Sequence, residues 1–170
     1  MEKLQLLIKS LQLQIKIIQI QIQILLLKKK KILYIIIHHT ATSRDYTTFE
    51  AINNGHQRRW SGQSLSQLGF YCGYQYLITG DGKIHQARLD TESGWHTSGH
   101  NQNTIGIVFT GNFMIETMSN AQISSLKELL AEKLKQYSLD KSQIKLHRDF
   151  TSTLCPGENL ADWIDNYKNS

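Results

Sequence analysis

The sequence predicts an α/β domain, a single mixed central β-sheet with helices packed on its faces. Three observations carry that expectation. Two short apolar runs rich in β-branched residues, ILYIII (32–37) and TIGIVFT (104–110), read as buried strands. Gly80-Asp81-Gly82 between two further strand-like stretches reads as a hairpin turn. Residues 120–137 repeat apolar side chains at helical spacing. At 170 residues the chain has room for one domain with a real core and too little for two ordinary ones.

In chain order, the strand at 32–37 is followed by a polar loop, HHTATSRD, with Ser43 and Asp45 as helix-capping candidates. A helix over 46–58 has Phe49 and Ile52 on one face. SGQSLSQLGFYCG is a loop, then strands 74–79 and 83–87 form the hairpin. After the strand at 104–110, the helix at 120–137 carries Ile123, Leu126, Leu129, Leu130 and Leu134 on one face. Ser119 and Gln122 fit a capping box at its start. A short strand over 144–147 and a closing helix over 158–167 complete a β-α-β-β-β-α-β-α order, which calls for a mixed sheet covered by helices.

The first 31 residues stand apart. They use seven residue types and carry seven lysines and one glutamate, which leaves 12 of 19 basic and 13 of 14 acidic side chains for the remainder. The net charge of +5 therefore belongs to the extension, and residues 32–170 show no basic bias of the kind nucleic-acid binding needs. Residues 18–24 alternate Ile and Gln, the period of a strand with one apolar face. The apolar window 17–27 is too short and too rich in glutamine to span a bilayer, and its lysines follow the apolar run, the reverse of a signal peptide. Three readings stay open: an appendage, disordered or helical, unrelated to activity; a start site placed too far upstream; or a tail drawn by its lysines to anionic membrane.

The chemistry concentrates in two places. His38 and His39 follow the first strand, while His147 ends the last strand and Cys155 lies eight residues on, before Pro156. Imidazole and thiolate are the preferred ligands of zinc, and three protein ligands leave a fourth position open. Successive strand residues face opposite ways, so one of His38 and His39 is expected to turn inward. From spacing alone, a capped or solvated histidine at a strand end and a buried small cysteine are the commoner readings. Cys72 and Cys155 make no disulfide framework, and whether they bridge each other stays open.

Taken together, IIIHHTAT (35–42), GYQYLITGDGKIHQAR (73–88), GWHTSGHNQNTIGIVFTGNF (94–113) and HRDFTSTLCPG (147–157) resemble the zinc-dependent N-acetylmuramoyl-L-alanine amidases of the amidase-2 family. That family includes amidase-type phage lysozymes and the peptidoglycan recognition proteins. The resemblance spans roughly residues 32 to 160 and leaves residues 1–31 without a counterpart, so 32–170 is expected to be the amidase domain. It implies one Zn2+ held by His38, His147 and Cys155, with Tyr74 as the catalytic tyrosine. Thr153 matches a position that varies between lysine and threonine, and His96 matches a histidine of the substrate groove. One departure is visible: QSLSQLGFYC (63–72) intervenes between Trp60-Ser61-Gly62 and the Gly-Tyr strand, at the rim of the groove.

The resemblance implies hydrolysis of the amide between N-acetylmuramic acid and L-alanine in peptidoglycan. Action would be at the cell wall, by secretion or on phage lysis, by a monomer. Zinc supplies the Lewis acid such a bond needs, and Tyr74, with an ordinary pKa near 10, stays protonated to donate to the oxyanion. His96 is a candidate for proton transfer or carbonyl contact, or else lines the groove beside Trp95. Three rivals are a peptidoglycan-binding module of the same fold, a cysteine hydrolase using Cys155, and a purely structural zinc site. His39, His56, His85 and His100 are expected at the surface or behind the site.

Overall fold

The computed structural model describes residues 2–27 and 31–170. It divides into two compact units, Met1–Lys30 and Lys31–Ser170.

In the first unit, α1 is a single helix, Glu2–Leu27. The Ile/Gln alternation over 18–24 has the period of a strand, but the segment folds as a helix, one of the forms the appendage reading allowed. A strand needs a partner edge for its backbone groups, whereas a helix satisfies them within the segment. Leu, Gln and Lys are strong helix formers, and no Gly or Pro interrupts them. Among the described residues, no helix is long and apolar enough to cross a membrane.

In the second unit, five strands form one sheet in the order β3-β2-β4-β1-β5: β1 Tyr34–His39, β2 Tyr76–Ile78, β3 Ile84–Gln86, β4 Thr104–Phe109 and β5 Ile144–Leu146. β1 runs parallel to both β4 and β5, β2 parallel to β4, and β3 closes the edge antiparallel to β2. The expected α/β class and mixed sheet are therefore what the chain builds. Three further helices follow the same element order: α2 Phe49–Arg59, α3 Asn120–Tyr137 and α4 Glu158–Asn169.

Alternation along the strands sorts the core. Ile35, Ile37, Tyr76, Ile78, Ile105, Ile107 and Phe109 pack with Leu126, Leu129 and Leu130 of α3 and Leu160 and Ile164 of α4. Leu77 and Val108, on the other face, pack with Phe49, Cys72 and Ala87. Burial on both faces explains why β1 and β4 read as unbroken apolar runs rather than alternating ones.

Boundaries moved where backbone pairing or a cap overrode side-chain character. β1 starts and ends two residues later than 32–37. It continues through His38 and His39 because the ladder to Val108 and Phe109 is carried by the backbone. α2 starts at Phe49 rather than 46, capped by Thr48, whose hydroxyl accepts from the Ala51 amide at 3.2 Å. Asp45, an expected cap, instead pairs with Arg44 at 2.7 Å. The capping box of Ser119 and Gln122 is present in full.

Candidate metal centre

The parallel register Ile37 to Leu146 sets the next residues of both strands, His38 and His147, side by side at the carboxyl end of the sheet. Crevices outside strand carboxyl ends are where open α/β sheets take ligands. The two imidazole centroids are 4.4 Å apart. After His147 the chain turns through a 3-10 segment, His147–Asp149, and comes back. The Arg148 amide donates to the Cys155 carbonyl at 3.1 Å, closing the loop. This returns the Cys155 sulfur to 3.8 Å from His38 Nδ1.

Ligand atoms of His38, His147 and Cys155 all lie within 4.8 Å of one another. Nitrogen and sulfur donors about 2.0 and about 2.3 Å from one ion at the tetrahedral angle stand roughly 3.5 Å apart. The cluster therefore has the donor set of a zinc site, on a spacing from which the three groups could close on one ion. His39, one residue on, faces the opposite side: its Nδ1 accepts the Phe113 amide at 3.3 Å, and its ring stacks on Phe113.

Electrostatics fit a divalent cation. Burial holds the His38 imidazole well below its ordinary pKa, with further depression from His96, His147 and His39. Burial lowers His147 as well. Both rings are neutral near pH 7 and offer lone pairs. Burial pushes the Cys155 thiol up to about 11, against the pull of the His39 amide, 3.4 Å from the sulfur, and of Arg148. Such a thiol keeps its proton at neutral pH and is a poor nucleophile, which tells against a cysteine hydrolase. A cation among the three donors would displace that proton.

His38 is oriented from behind. Its Nδ1 faces the thiol, and its Nε2 lies 3.1 Å from His96 Nδ1 and 3.4 Å from Thr97 Oγ1. His96 is itself buried, 8% exposed, against the His38 ring. Its ring sits against Gly94 and Gly106, where any Cβ would collide with it. Tyr74 packs against both rings, its own 5.1 Å from that of His38 and 6.0 Å from that of His96. Burial raises the phenol above its ordinary pKa, and the Cys155 and Cys72 thiols raise it further. Thr153 is half-buried on the returning loop, its hydroxyl accepting from the Cys155 amide at 3.2 Å. The fold thus gathers His38, His147, Cys155, Tyr74 and His96, with Thr153 on the loop that brings in the cysteine.

Residues 28–158 match the family profile described as N-acetylmuramoyl-L-alanine amidase, Amidase_2. The chain belongs to this family. Peptidoglycan-recognition protein SC2 of Drosophila melanogaster is 33% identical over 138 residues, covering 80% of this chain and 74% of that protein. Among solved structures, the N-acetylmuramoyl-L-alanine amidase LysC from Clostridium intestinale URNW superposes with a TM-score of 0.67 at 31% identity, covering 82% of this chain and 86% of that one. The ectodomain complex of peptidoglycan recognition proteins LCa and LCx, bound to tracheal cytotoxin, contains a chain that superposes with a TM-score of 0.68 at 26% identity. That match covers 82% of this chain and 84% of the other.

Around this amidase-family site, several residues had no legible role in the sequence. Thr97 is one. Arg88 is another: 2% exposed, its guanidinium donates to the carbonyls of Cys72, at 2.9 Å, and Ser64. Asn53 accepts the Tyr71 and Cys72 amides at 2.7 and 3.1 Å. Between them they fasten the 63–72 insertion at its two ends. The insertion is also tied by Ser66, which donates to the Ala87 carbonyl at 2.7 Å. Both cysteines are free, so the bridge left open is not formed. His56 accepts the Gly73 amide at 3.0 Å, His85 stacks on Phe49, and His100 packs against Phe150.

Proposed function

We propose that residues 32–170 form a zinc-dependent amidase that hydrolyses the bond between N-acetylmuramic acid and L-alanine in peptidoglycan, acting at the cell wall. Residues 1–31 lie outside this catalytic domain. The observation that carries the reading is the convergence of His38, His147 and Cys155 within 4.8 Å, beside a partly buried tyrosine that keeps its proton. The likeness to the LysC amidase supports it.

His38, through Nδ1, His147 and Cys155 would hold the ion. When bound, zinc supplies a Lewis acid that polarises the scissile carbonyl and acidifies water. The chain's own residues do the rest. The His39 amide steadies the sulfur as it loses its proton. With its Nδ1 turned toward the Cys155 sulfur, His38 would carry its proton on Nε2 and donate it to His96 Nδ1, which would lock the ring in place. His96 is then a positioning residue. Tyr74 donates its hydroxyl proton to the carbonyl oxygen as negative charge grows there. Thr153 uses its lone pair on the Cys155 amide and keeps its O–H for substrate.

The relatives named peptidoglycan recognition proteins favour one other reading, a module of this fold that holds peptidoglycan without cutting it. One experiment separates the two. The full chain is incubated with purified peptidoglycan, with and without a zinc chelator, and products are read by mass spectrometry. The amidase releases stem peptides with new L-alanine amino termini, and the release stops with chelator and returns with zinc. Peptidoglycan bound but uncut supports the module instead.

A further inference from the structure

The helix α1 carries an interaction surface that the amidase chemistry does not use. Leu4, Ile8, Leu11, Ile15 and Ile18 recur at intervals of four and three, and the sequence continues the register with Ile22 and Leu25. That is a heptad seam with Ile8 and Ile15 at the a positions and Leu4, Leu11 and Ile18 at d, a combination suited to helix pairing. These five side chains are 46–63% exposed.

We propose that α1 packs against α1 of other copies of this chain, with that seam as the core. Charge supports a like partner. Over residues 5–21 the e and g positions flanking the seam hold Gln5, Gln12, Gln14, Gln19, Gln21 and Leu7, so along this stretch identical helices meet no like charges across the interface. Lys9 and Lys16 fall at b, away from the contact.

Area points the same way. Five apolar side chains about half exposed offer on the order of 500 Å² per helix, against about 800 Å² per partner in a standard stable interface. A second apolar stripe, Leu6, Leu13, Ile17 and Ile20, lies on the opposite side of the helix and is 46–67% exposed. Neither stripe alone reaches that figure, so burying both calls for further helices to join the first pair. The same opposition disfavours a lipid surface, which covers one face and would leave the other stripe in water.

The test is the solution mass of the full chain by sedimentation across a wide concentration range, with and without anionic phospholipid vesicles. The expected mass is at least about twice 19.6 kDa. It should fall toward the single-chain value in Leu11→Gln/Ile15→Gln, which removes the seam while keeping strong helix formers. Lys9→Ala/Lys16→Ala should leave the mass of the assembly unchanged. Helicity measured by circular dichroism shows that α1 persists in each variant. A single-chain mass for the unaltered protein overturns the proposal, as does an assembly indifferent to Leu11→Gln/Ile15→Gln. Vesicle binding by a protein that remains a single chain makes a membrane the occupant and overturns it too.

Discussion

His38 and His96 meet through their ring nitrogens, Nε2 to Nδ1 at 3.1 Å, with both side chains buried. The contact decides which face of His38 is offered to the thiol. A ring held at Nε2 points Nδ1 at Cys155, and a neutral His96 can accept the Nε2 proton only while its own Nδ1 is unprotonated. The orientation of His38 toward Cys155 therefore depends on a residue that is itself buried.

Removing that support should be felt in metal affinity. His96→Ala is expected to weaken zinc binding by about 10- to 100-fold, the usual cost of losing a partner behind a ligating histidine. His96→Asn, which can still accept a hydrogen bond, should recover part of it. Competition with a chromophoric chelator measures both. Unchanged affinity in His96→Ala would remove His96 from its positioning role.

Zinc should stabilise the fold as well as activate it. A ligand at about 100 times its dissociation constant contributes about 2.7 kcal/mol to the folded state. Calorimetry is expected to show a drop in Tm on chelation that excess zinc reverses. Cys155→Ser should unfold at nearly the same temperature with and without zinc, because the hydroxyl does not replace the thiolate. A zinc-dependent Tm that survives in Cys155→Ser would place the ion elsewhere.

The elements that read correctly from sequence are those whose pattern is local. The α3 stripe from Ile123 to Leu134 and its Ser119–Gln122 box needed no tertiary information. Ile35 to Ile37 announced a strand covered on both faces, but not that it would run through two histidines, since only pairing with Val108 and Phe109 decides that. The Ile/Gln alternation could not decide between strand and helix, because a period of two makes a strand only where a neighbouring strand pairs with it. At the site, His38 and Cys155 are 117 residues apart and meet through the Arg148 amide to Cys155 carbonyl bond, which leaves no trace in side-chain pattern. The resemblance to known amidases singled out that pair as candidates. It did not supply the burial of His96, because GWHTSGH reads as a polar loop until Gly94 and Gly106 are seen to make room for the ring.

Tyr74 should matter to turnover and not to metal. Tyr74→Phe keeps the ring beside His38 and deletes only the donor. It is expected to lower kcat by about 10²- to 10³-fold, the typical cost of one oxyanion donor, with KM and zinc content little changed. Because burial raises the phenol pKa, the proton stays in place through the ordinary tyrosine range. The activity of the unaltered protein should therefore show no falling limb near pH 10 from this group. Equal loss of zinc and kcat in Tyr74→Phe would make the tyrosine structural.

His56 gives the protein an acid-sensitive joint away from the ligands. Its Nδ1 accepts the Gly73 amide at 3.0 Å, a bond available only to the neutral ring. Burial, then the charges of Arg59 and Arg88, lower its pKa from 6.5 to about 4. A depressed folded-state pKa means that the unfolded chain binds the proton more readily. The contribution is thus whole above pH 6.5 and is lost progressively as pH falls toward about 4. For a half-buried ring, solvent screening reduces the effect to on the order of 1–2 kcal/mol. Urea unfolding of the zinc-free protein between pH 4 and 8 measures it, with chelator present so that metal release does not contribute. His56→Gln offers an amide oxygen to Gly73 and does not titrate, so its stability should fall less steeply over that range. Parallel pH profiles for the two proteins would show that the Gly73 bond does not govern acid sensitivity.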